Sequence, residues 1–446
     1  MPSVLVIAHS FPPVSGVGVR RTLAFVRYLP AQGWQPVVLT VRRPLDGPPD
    51  EALAALVPST VRVVRTPWVH PRLVSQALRR RSGRSAGATD GSGRAAGPPG
   101  RLRIWLRALL WIPDQAVGWW PFAVAAGLRE LRRGRIRAIY STSGPPTSHL
   151  VAWTLKRLAR RPWVADFRDP WTADLASARR QMYALRWRYR LDRRLERHVL
   201  AAADRVVAVS EPQRRVLLAA AGEVESARFR VITNGYDPDD WVGLTRRAPD
   251  RFTITYTGTF YLAEQSPAPF LEALAGLVRA GPVGPGEVRL RILGPSAQPV
   301  QAAAAAAGVP EVVSATGPVS HRTALQAQLD ASVLLLVRGP AQGRQGVLTG
   351  KLFEYLAARR PILALVPPDS AVADILRAAE AGPVVAPADH SGITAALRRL
   401  VEEFRASGDV RWRGREEVVQ AFARPRLAAQ LADLLNEIVP PDEARH

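Results

Sequence analysis

The chain has 446 residues, 47% hydrophobic and 22% charged, a balance that excludes global disorder in a length suited to two domains. It contains no cysteine, so disulfides, thiolate metal sites and a cysteine nucleophile are excluded. The net charge of +23 is uneven: residues 1–240 carry 39 Lys+Arg against 18 Asp+Glu, and the remainder 22 against 20. The basic first half points to an anionic partner: anionic lipid, nucleic acid or a phosphorylated acceptor. A compositional preference for Arg, with Lys156 and Lys351 the only lysines, is the competing explanation, but it does not say why one half alone is basic.

In chain order, residues 4–8 read as a buried parallel strand, 19–29 as a helix and 36–41 as the next strand. Residues 82–100, rich in Gly, Ser, Ala and Pro, read as a disordered loop. The alternation resumes with a strand at 138–141, helix 147–158, strand 163–166, basic helix 184–203, strand 205–209, helix 211–221 and strand 229–232. A polar linker is expected at 237–251. A second series follows, with strands at 252–257, 288–293, 312–315, 331–337 and 361–366, and helices at 267–279, 350–358 and 372–379. Residues 410–438 read as amphipathic helix. This is the βαβ signature of two doubly wound α/β domains, 1–236 and 252–409, with 410–446 expected to pack back on the first. Ligands of such sheets bind outside the carboxyl ends of the strands. The first residues lack a basic segment and a cleavage pattern, so no secretory leader is expected. No apolar run reaches the ~20 residues of a spanning helix. The expectation is a cytoplasmic protein.

Four constellations follow strands. In the first, Gly16 and Gly18 stand between a strand and a helix, where backbone can approach a phosphate, with Arg20 just beyond; Arg21 replaces the third glycine of a dinucleotide fingerprint. In the second, His149 lies near a helix start whose dipole disfavours its charged form. A neutral imidazole there could bond a sugar hydroxyl or move a proton, against the alternative of local packing. The third is Asp166, Arg168, Asp169 and Trp171, in which two carboxylates flank a guanidinium able to orient hydroxyls or hold a diphosphate; a structural ion-pair network is the alternative. In the fourth, Thr349, Gly350 and Lys351 open a helix whose amides face an anion, and Glu354, one turn on, can accept from both ribose hydroxyls; a solvated helix face is the alternative. Asp237, Asp239 and Asp240 form the densest acidic group, read as a linker turn, and no metal is expected.

Taken together, these segments resemble the glycosyltransferase family 4 group of GT-B enzymes. The resemblance rests on the opening Pro-Pro and Gly-x-Gly loop, the run from Val164 to Trp171, the stretches 203–210 and 231–237, and the run from Thr349 to Leu356. It implies two facing Rossmann-like domains, an acceptor on the first, a nucleotide-sugar on the second, retention of anomeric configuration and no metal. The leaving diphosphate then helps deprotonate the acceptor. It also implies that Glu354 holds the ribose, that His149 and the Gly16–Gly18 loop lie near sugar and phosphate, and that His149, Asp166 and Arg168 are the catalytic candidates. Arg20, Asp169 and Trp171 fall on the acceptor side, while Gly16, Gly18, Gly258, Thr259, Thr349, Gly350, Lys351 and Glu354 fall on the donor side. Two departures stand out. Gly346 occupies the first position of the usual paired glutamates. The first strand of the second domain ends in Gly258 and Thr259 with Glu264 and Gln265 beyond, lacking the usual Arg and Lys. Lys351, Arg168 and Arg20 are then the candidates for neutralising the diphosphate.

The expected function is transfer of a sugar, UDP-linked by family frequency, to a glycan or lipid-linked acceptor in cell-envelope assembly. Arg and Trp mixed over residues 101–111 and 118–122 suggest an anionic membrane surface as partner, on the inner face of the membrane; filling the first domain's core is the alternative. A nucleotide-sugar 2-epimerase would share the architecture. A nucleic-acid-binding protein would exploit the charge, but Asp166, Asp169 and Asp174 interrupt a basic groove, and no nucleic acid is expected. A non-catalytic relative would fit the missing glutamate.

Overall fold

The computed structural model describes residues 1–42, 50–70, 105, 108–173, 183, 185–260, 265–281, 283–339, 346 and 348–440. The expectations for 82–100, for Glu264 and for most of 101–107 fall outside those residues.

The chain divides into two units. Unit 1, residues 1–209, 214–232 and 428 onward, runs β1 Ser3–Ile7, α1 Val17–Tyr28, β2 Gln35–Val41, β3 Arg62–Thr66, α2 Trp120–Arg132, β4 Ile136–Thr142, α3 Thr147–Ala159, β5 Trp163–Phe167, α4 Arg186–Ala202, β6 Arg205–Ala208, α5 Glu211–Ala221 and β7 Phe229–Val231. Its strands pair in the order β3-β2-β1-β4-β5-β6-β7, all parallel. Helices cover both faces of such a sheet, so central strands carry unbroken apolar runs; β1 and β5 are buried at every position.

Unit 2, residues 210–213 and 233–427, runs β8 Phe252–Thr257, α6 Ala268–Arg279, β9 Val288–Leu293, α7 Ala297–Ala306, β10 Val313–Thr316, α8 His321–Leu329, β11 Val333–Val337, α9 Gly350–Ala357, β12 Ile362–Leu365, α10 Ala371–Ala378, β13 Val384–Val385 and α11 His390–Ser407. Its strand order is β10-β9-β8-β11-β12-β13, again all parallel. The last helix, α12 Arg424–Ile438, begins in unit 2 and from Ala428 belongs to unit 1. There Trp34 Nε1 donates to Asn436 at 2.9 Å and Arg205 pairs with Glu437 at 3.0 Å.

Two stretches group differently from the sequence-based division, for reasons of packing. Residues 237–251 belong to unit 2: Arg246 pairs with Asp409 at 2.7 Å and the Arg247 amide bonds Asp330. Asp237 caps the turn Pro238–Trp241. Residues 410–427 also belong to unit 2, since Val410 and Val419 are buried in its apolar clusters.

Strand order reverses once in each sheet, between β1 and β4 in unit 1 and between β8 and β11 in unit 2. At these points adjacent loops diverge to opposite faces and leave a crevice at the carboxyl edge. The fold therefore offers one ligand position per unit.

Candidate functional site

At the unit 1 reversal the charges are closed among themselves. Asp166, in β5, is fully buried. It accepts from Arg21 Nε and Nη2 at 3.0 and 2.9 Å, from the Tyr140 hydroxyl at 2.6 Å and from Thr142 Oγ1 at 3.0 Å. Arg21 also donates to the Ile232 carbonyl. Burial would raise the Asp166 pKa, but the Arg21 charge and these hydrogen bonds hold it below the ordinary carboxylate value. Burial and the Asp166 charge push Tyr140 well above its usual value. The expected grouping is thus corrected: Asp166 is an ionised structural acceptor sealed from any substrate, and its partner is Arg21.

Arg168 pairs instead with exposed Asp169 at 3.1 Å. Its guanidinium occupies the space beside two glycines. A Cβ at Gly18 would lie 0.9 Å from Nη1, and one at Gly144 2.2 Å from Nη2. Gly18 therefore makes room for an arginine, not for a phosphate as its spacing suggested. Gly16, with φ +146°, is exposed and open, and Arg20 is half-exposed on α1.

His149 is fully buried and stacked on Phe167 with ring centroids 4.3 Å apart. Its Nδ1 lies 2.8 Å from Ser141 Oγ, which accepts from Trp163 Nε1 at 2.8 Å. Burial, opposed by the Asp166 charge, lowers its pKa to about 3. The imidazole is neutral, as its place at a helix start suggested, but desolvation is the main cause and the ring presents no surface to a ligand. Trp171 is likewise a core residue at 1% exposure, which removes it from an acceptor surface. The N-terminus of α3 is already met by a carboxylate: Asp114 accepts from the Thr147 amide and hydroxyl, both at 2.8 Å. Such a carboxylate takes the place an anionic ligand would fill.

The unit 2 reversal is built differently. Gly258 ends β8 with φ +100°, a backbone shape that disfavours a side chain, and its amide is spent on the Leu293 carbonyl at 2.7 Å. What it offers is room: a Cβ there would sit 3.5 Å from Lys351 Nζ. That ammonium, in the first turn of α9, lies 3.5 Å from the centre of the Tyr256 ring, a cation–π contact. Tyr256 is held by a stack on Phe260 at 3.6 Å and by its hydroxyl bond to the Thr259 carbonyl. Burial, then the Arg338 charge, lower the Lys351 pKa to about 7 against the pull of Glu354. Thr349, the residue before α9, makes no side-chain cap, and among the described residues no carboxylate bond to the amides of this helix start is seen, unlike the Asp114 bond to α3. Glu354, one turn along on the same face, accepts from His321 Nε2 at 3.1 Å and Gln328 Nε2 at 3.3 Å. Its side chain is 25% exposed.

Lys351, Gly350, Thr349, Glu354, Gly258 and Thr259 are therefore brought to one strand reversal. Gly346 explains one departure from the family pattern. Its φ is +66°, and a Cβ would lie 2.6 Å from Ser210 Oγ and 2.7 Å from Pro212 Cβ, so a glutamate does not fit. Gln265, where a lysine is usual, is buried. Among the described residues, no three His, Cys, Asp or Glu side chains form a metal-binding group. Sequence reading missed Arg338, His321 and Gln328 in unit 2 and Arg21, Tyr140, Thr142 and Asp114 in unit 1. Arg338 had a legible signal, a cation directly after the apolar strand β11. His321 and Gln328 are seven residues apart, one face of a helix, but that helix was not recognised.

Two parallel-sheet Rossmann-like units, with a carboxylate and a lysine at one reversal, define a GT-B architecture, and the comparisons agree. The model for Glycosyltransferase Family 4 matches residues 74–240 and that for Glycosyl transferases group 1 matches residues 251–403. The chain is a glycosyltransferase in which a Family 4 match is followed by a group 1 match. No curated relative matches the sequence. Among solved structures, Anabaena Alr3699/HepE in complex with UDP and glucose superposes with a TM-score of 0.59 at 13% identity, over 98% of this chain and 100% of that one. A glycosyltransferase from Rickettsia africae gives 0.63 at 12% identity, over 99% of each chain. WaaG, a glycosyltransferase involved in lipopolysaccharide biosynthesis, gives 0.54 at 14% identity, over 97% of this chain and 99% of that one. At these identities the likeness is one of fold.

Proposed function

We propose that the protein moves a sugar from a nucleotide-sugar, UDP-linked, onto a lipid-linked or polysaccharide acceptor in cell-envelope glycan assembly, with retention of configuration. The observation that carries this reading is the unit 2 reversal, where the Lys351 ammonium stands beside Gly258 and Glu354 lies one turn on. A diphosphate seated against the start of α9 meets Lys351 and the amides of Thr349, Gly350 and Lys351. Glu354 accepts from the ribose hydroxyls. The UDP-bound and UDP-glucose-bound states of HepE support the donor class, and WaaG supports the lipopolysaccharide setting.

In the step itself, the bond from the anomeric carbon to the diphosphate oxygen breaks and a bond to the acceptor oxygen forms on the same face. The acceptor proton passes to the departing diphosphate. Lys351 stabilises the charge that develops there, an electrostatic role that matters more in a water-poor site. Lys351 and the helix-start amides take the part a metal would play, so we assign none.

Acceptor binding falls to unit 1, where Arg168 and Arg20 remain accessible at the β1–β4 reversal. The excess basic charge of that unit, with exposed Leu109, Leu110, Trp120 and Phe122, supports docking to an anionic membrane from the cytoplasmic side; Trp119, by contrast, is buried and bonds Thr66 Oγ1. Among the described residues no helix is long and apolar enough to cross a membrane. Sedimentation with anionic liposomes at low salt tests docking, and no binding there removes the membrane from the account.

The decisive experiment is thermal-shift binding against nucleotides and nucleotide-sugars with wild type and Glu354→Ala side by side. Stabilisation by one nucleotide class, lost in the variant, is expected. Stabilisation by none would move the weight to a non-catalytic or nucleic-acid role.

A further inference from the structure

Helix α8 presents two donors to one carboxylate. His321 opens the helix, and Gln328 lies seven residues on, the spacing that returns a side chain to the same face. Ser320 accepts from the Thr323 amide at 3.1 Å and fixes the helix start. His321 Nε2 lies 3.1 Å from Glu354 Oε1, and Gln328 Nε2 lies 3.3 Å from Oε2. An ionised carboxylate only accepts, so His321 carries its proton on Nε2 in this bond. Gln328 is fully buried and also donates to Thr257 Oγ1 at 3.0 Å, which ties the carboxylate to the last residue of β8. His321 and Glu354 remain 28% and 25% exposed. Each carboxylate oxygen thus meets a donor from α8, and two bonds to two oxygens hold the carboxylate plane.

The geometry points to His321 as a positioning residue for nucleoside recognition: with Gln328 it locks the Glu354 carboxylate in the orientation that receives a ribose 2′,3′-diol. This rests on the nucleotide-sugar reading given above. A vicinal diol makes two coplanar bonds to a carboxylate only when both oxygens face it together. Gln328 anchors Oε2 and His321 anchors Oε1, so loss of His321 removes the hold on one of the two oxygens. The half-buried His321–Glu354 pair joins two elements that Gln328 also links, so removal of His321 bears on recognition more than on folding.

The readout is preference for ribose over 2′-deoxyribose, which a purely structural role does not move. Full-length wild type, His321→Ala and His321→Gln are titrated calorimetrically with UDP and 2′-deoxy-UDP, and with the guanine and adenine pairs. Wild type is expected to prefer the ribose form by about tenfold or more, the scale of a hydrogen bond to a charged group. In His321→Ala the ratio falls to within about twofold, chiefly by weaker ribose binding. His321→Gln, which keeps an N–H donor, retains most of the preference. Should the alanine variant not fold, His321→Phe removes the donor at similar volume and carries the same expectation. A ratio unchanged from wild type, or equal losses for both sugars, overturns the inference while leaving the donor site standing. Failure of wild type to bind any ribonucleotide overturns the nucleotide-sugar reading itself, and this assignment with it.

Discussion

The two strand reversals are built on the same topology and solve opposite electrostatic problems. In unit 1 the buried charge faces partners of its own chain: Asp166 is met by Arg21, Tyr140 and Thr142, while Arg168 pairs with Asp169 and the start of α3 is met by Asp114. In unit 2, Lys351 lies at a helix start whose Thr349 makes no side-chain cap, and burial first, then the Arg338 charge, draw its pKa down to about 7 against the pull of Glu354. A closed network holds a scaffold together. A desolvated ammonium is costly, and an anion beside it would offset that cost, which is why the proposed diphosphate seat is put there.

The comparison is tested most severely by removing a buried partner. Asp166→Ala leaves Arg21 buried and uncompensated and should cost about 3–5 kcal/mol in urea unfolding. Replacing both by apolar residues, as Arg21→Met with Asp166→Leu, should recover most of it; a loss below ~1 kcal/mol in the single variant would show that the network is not structural. Lys351→Met should leave unfolding nearly unchanged and weaken nucleoside diphosphate binding by about 2–2.7 kcal/mol, roughly 30–100-fold.

Two pH effects follow. His9 and His149 are lowered from 6.5 to about 4 and about 3, mainly by burial. The unfolded chain therefore binds more protons than the folded one below pH 6.5, and stability is lost as pH falls from there toward 4. The slope is at most about 1.4 kcal/mol per pH unit per histidine, and a melting temperature flat over that window would contradict the burial of both rings. Lys351 gives the smaller effect and the opposite sign. Above pH 7 its amine is neutral in the free protein and must take up a proton to meet a diphosphate. Affinity for a nucleotide-sugar, whose diphosphate is fully ionised here, should decline between pH 7 and 9 by up to about tenfold per unit. Lys351→Arg should flatten that decline, and a flat wild-type profile would remove the lysine from the seat.

Periodicity located almost every strand that builds the two sheets, because buried parallel strands are continuous apolar runs. It missed β3, whose Arg62 and Arg65 break the run, the two-residue β13, and the helices α2, α7, α8 and α11. The sequence also showed where Lys351 and Glu354 open a helix after a glycine turn. What it hid was pairing across distance. Arg21 and Asp166 are 145 residues apart, and nothing local announces that one neutralises the other. Gly18 read as a phosphate-binding glycine, whereas the space it leaves is filled by Arg168. Local spacing reports what a backbone can admit; the occupant is decided by tertiary packing.

The central claim, that the donor diphosphate is seated on unit 2 and not on unit 1, is tested most directly by titrating the preferred nucleoside diphosphate into Lys351→Met and Arg168→Met in parallel. The account predicts a loss of roughly 30–100-fold in the first and less than about threefold in the second. A large loss on replacing Arg168, with Lys351→Met binding like wild type, would contradict it.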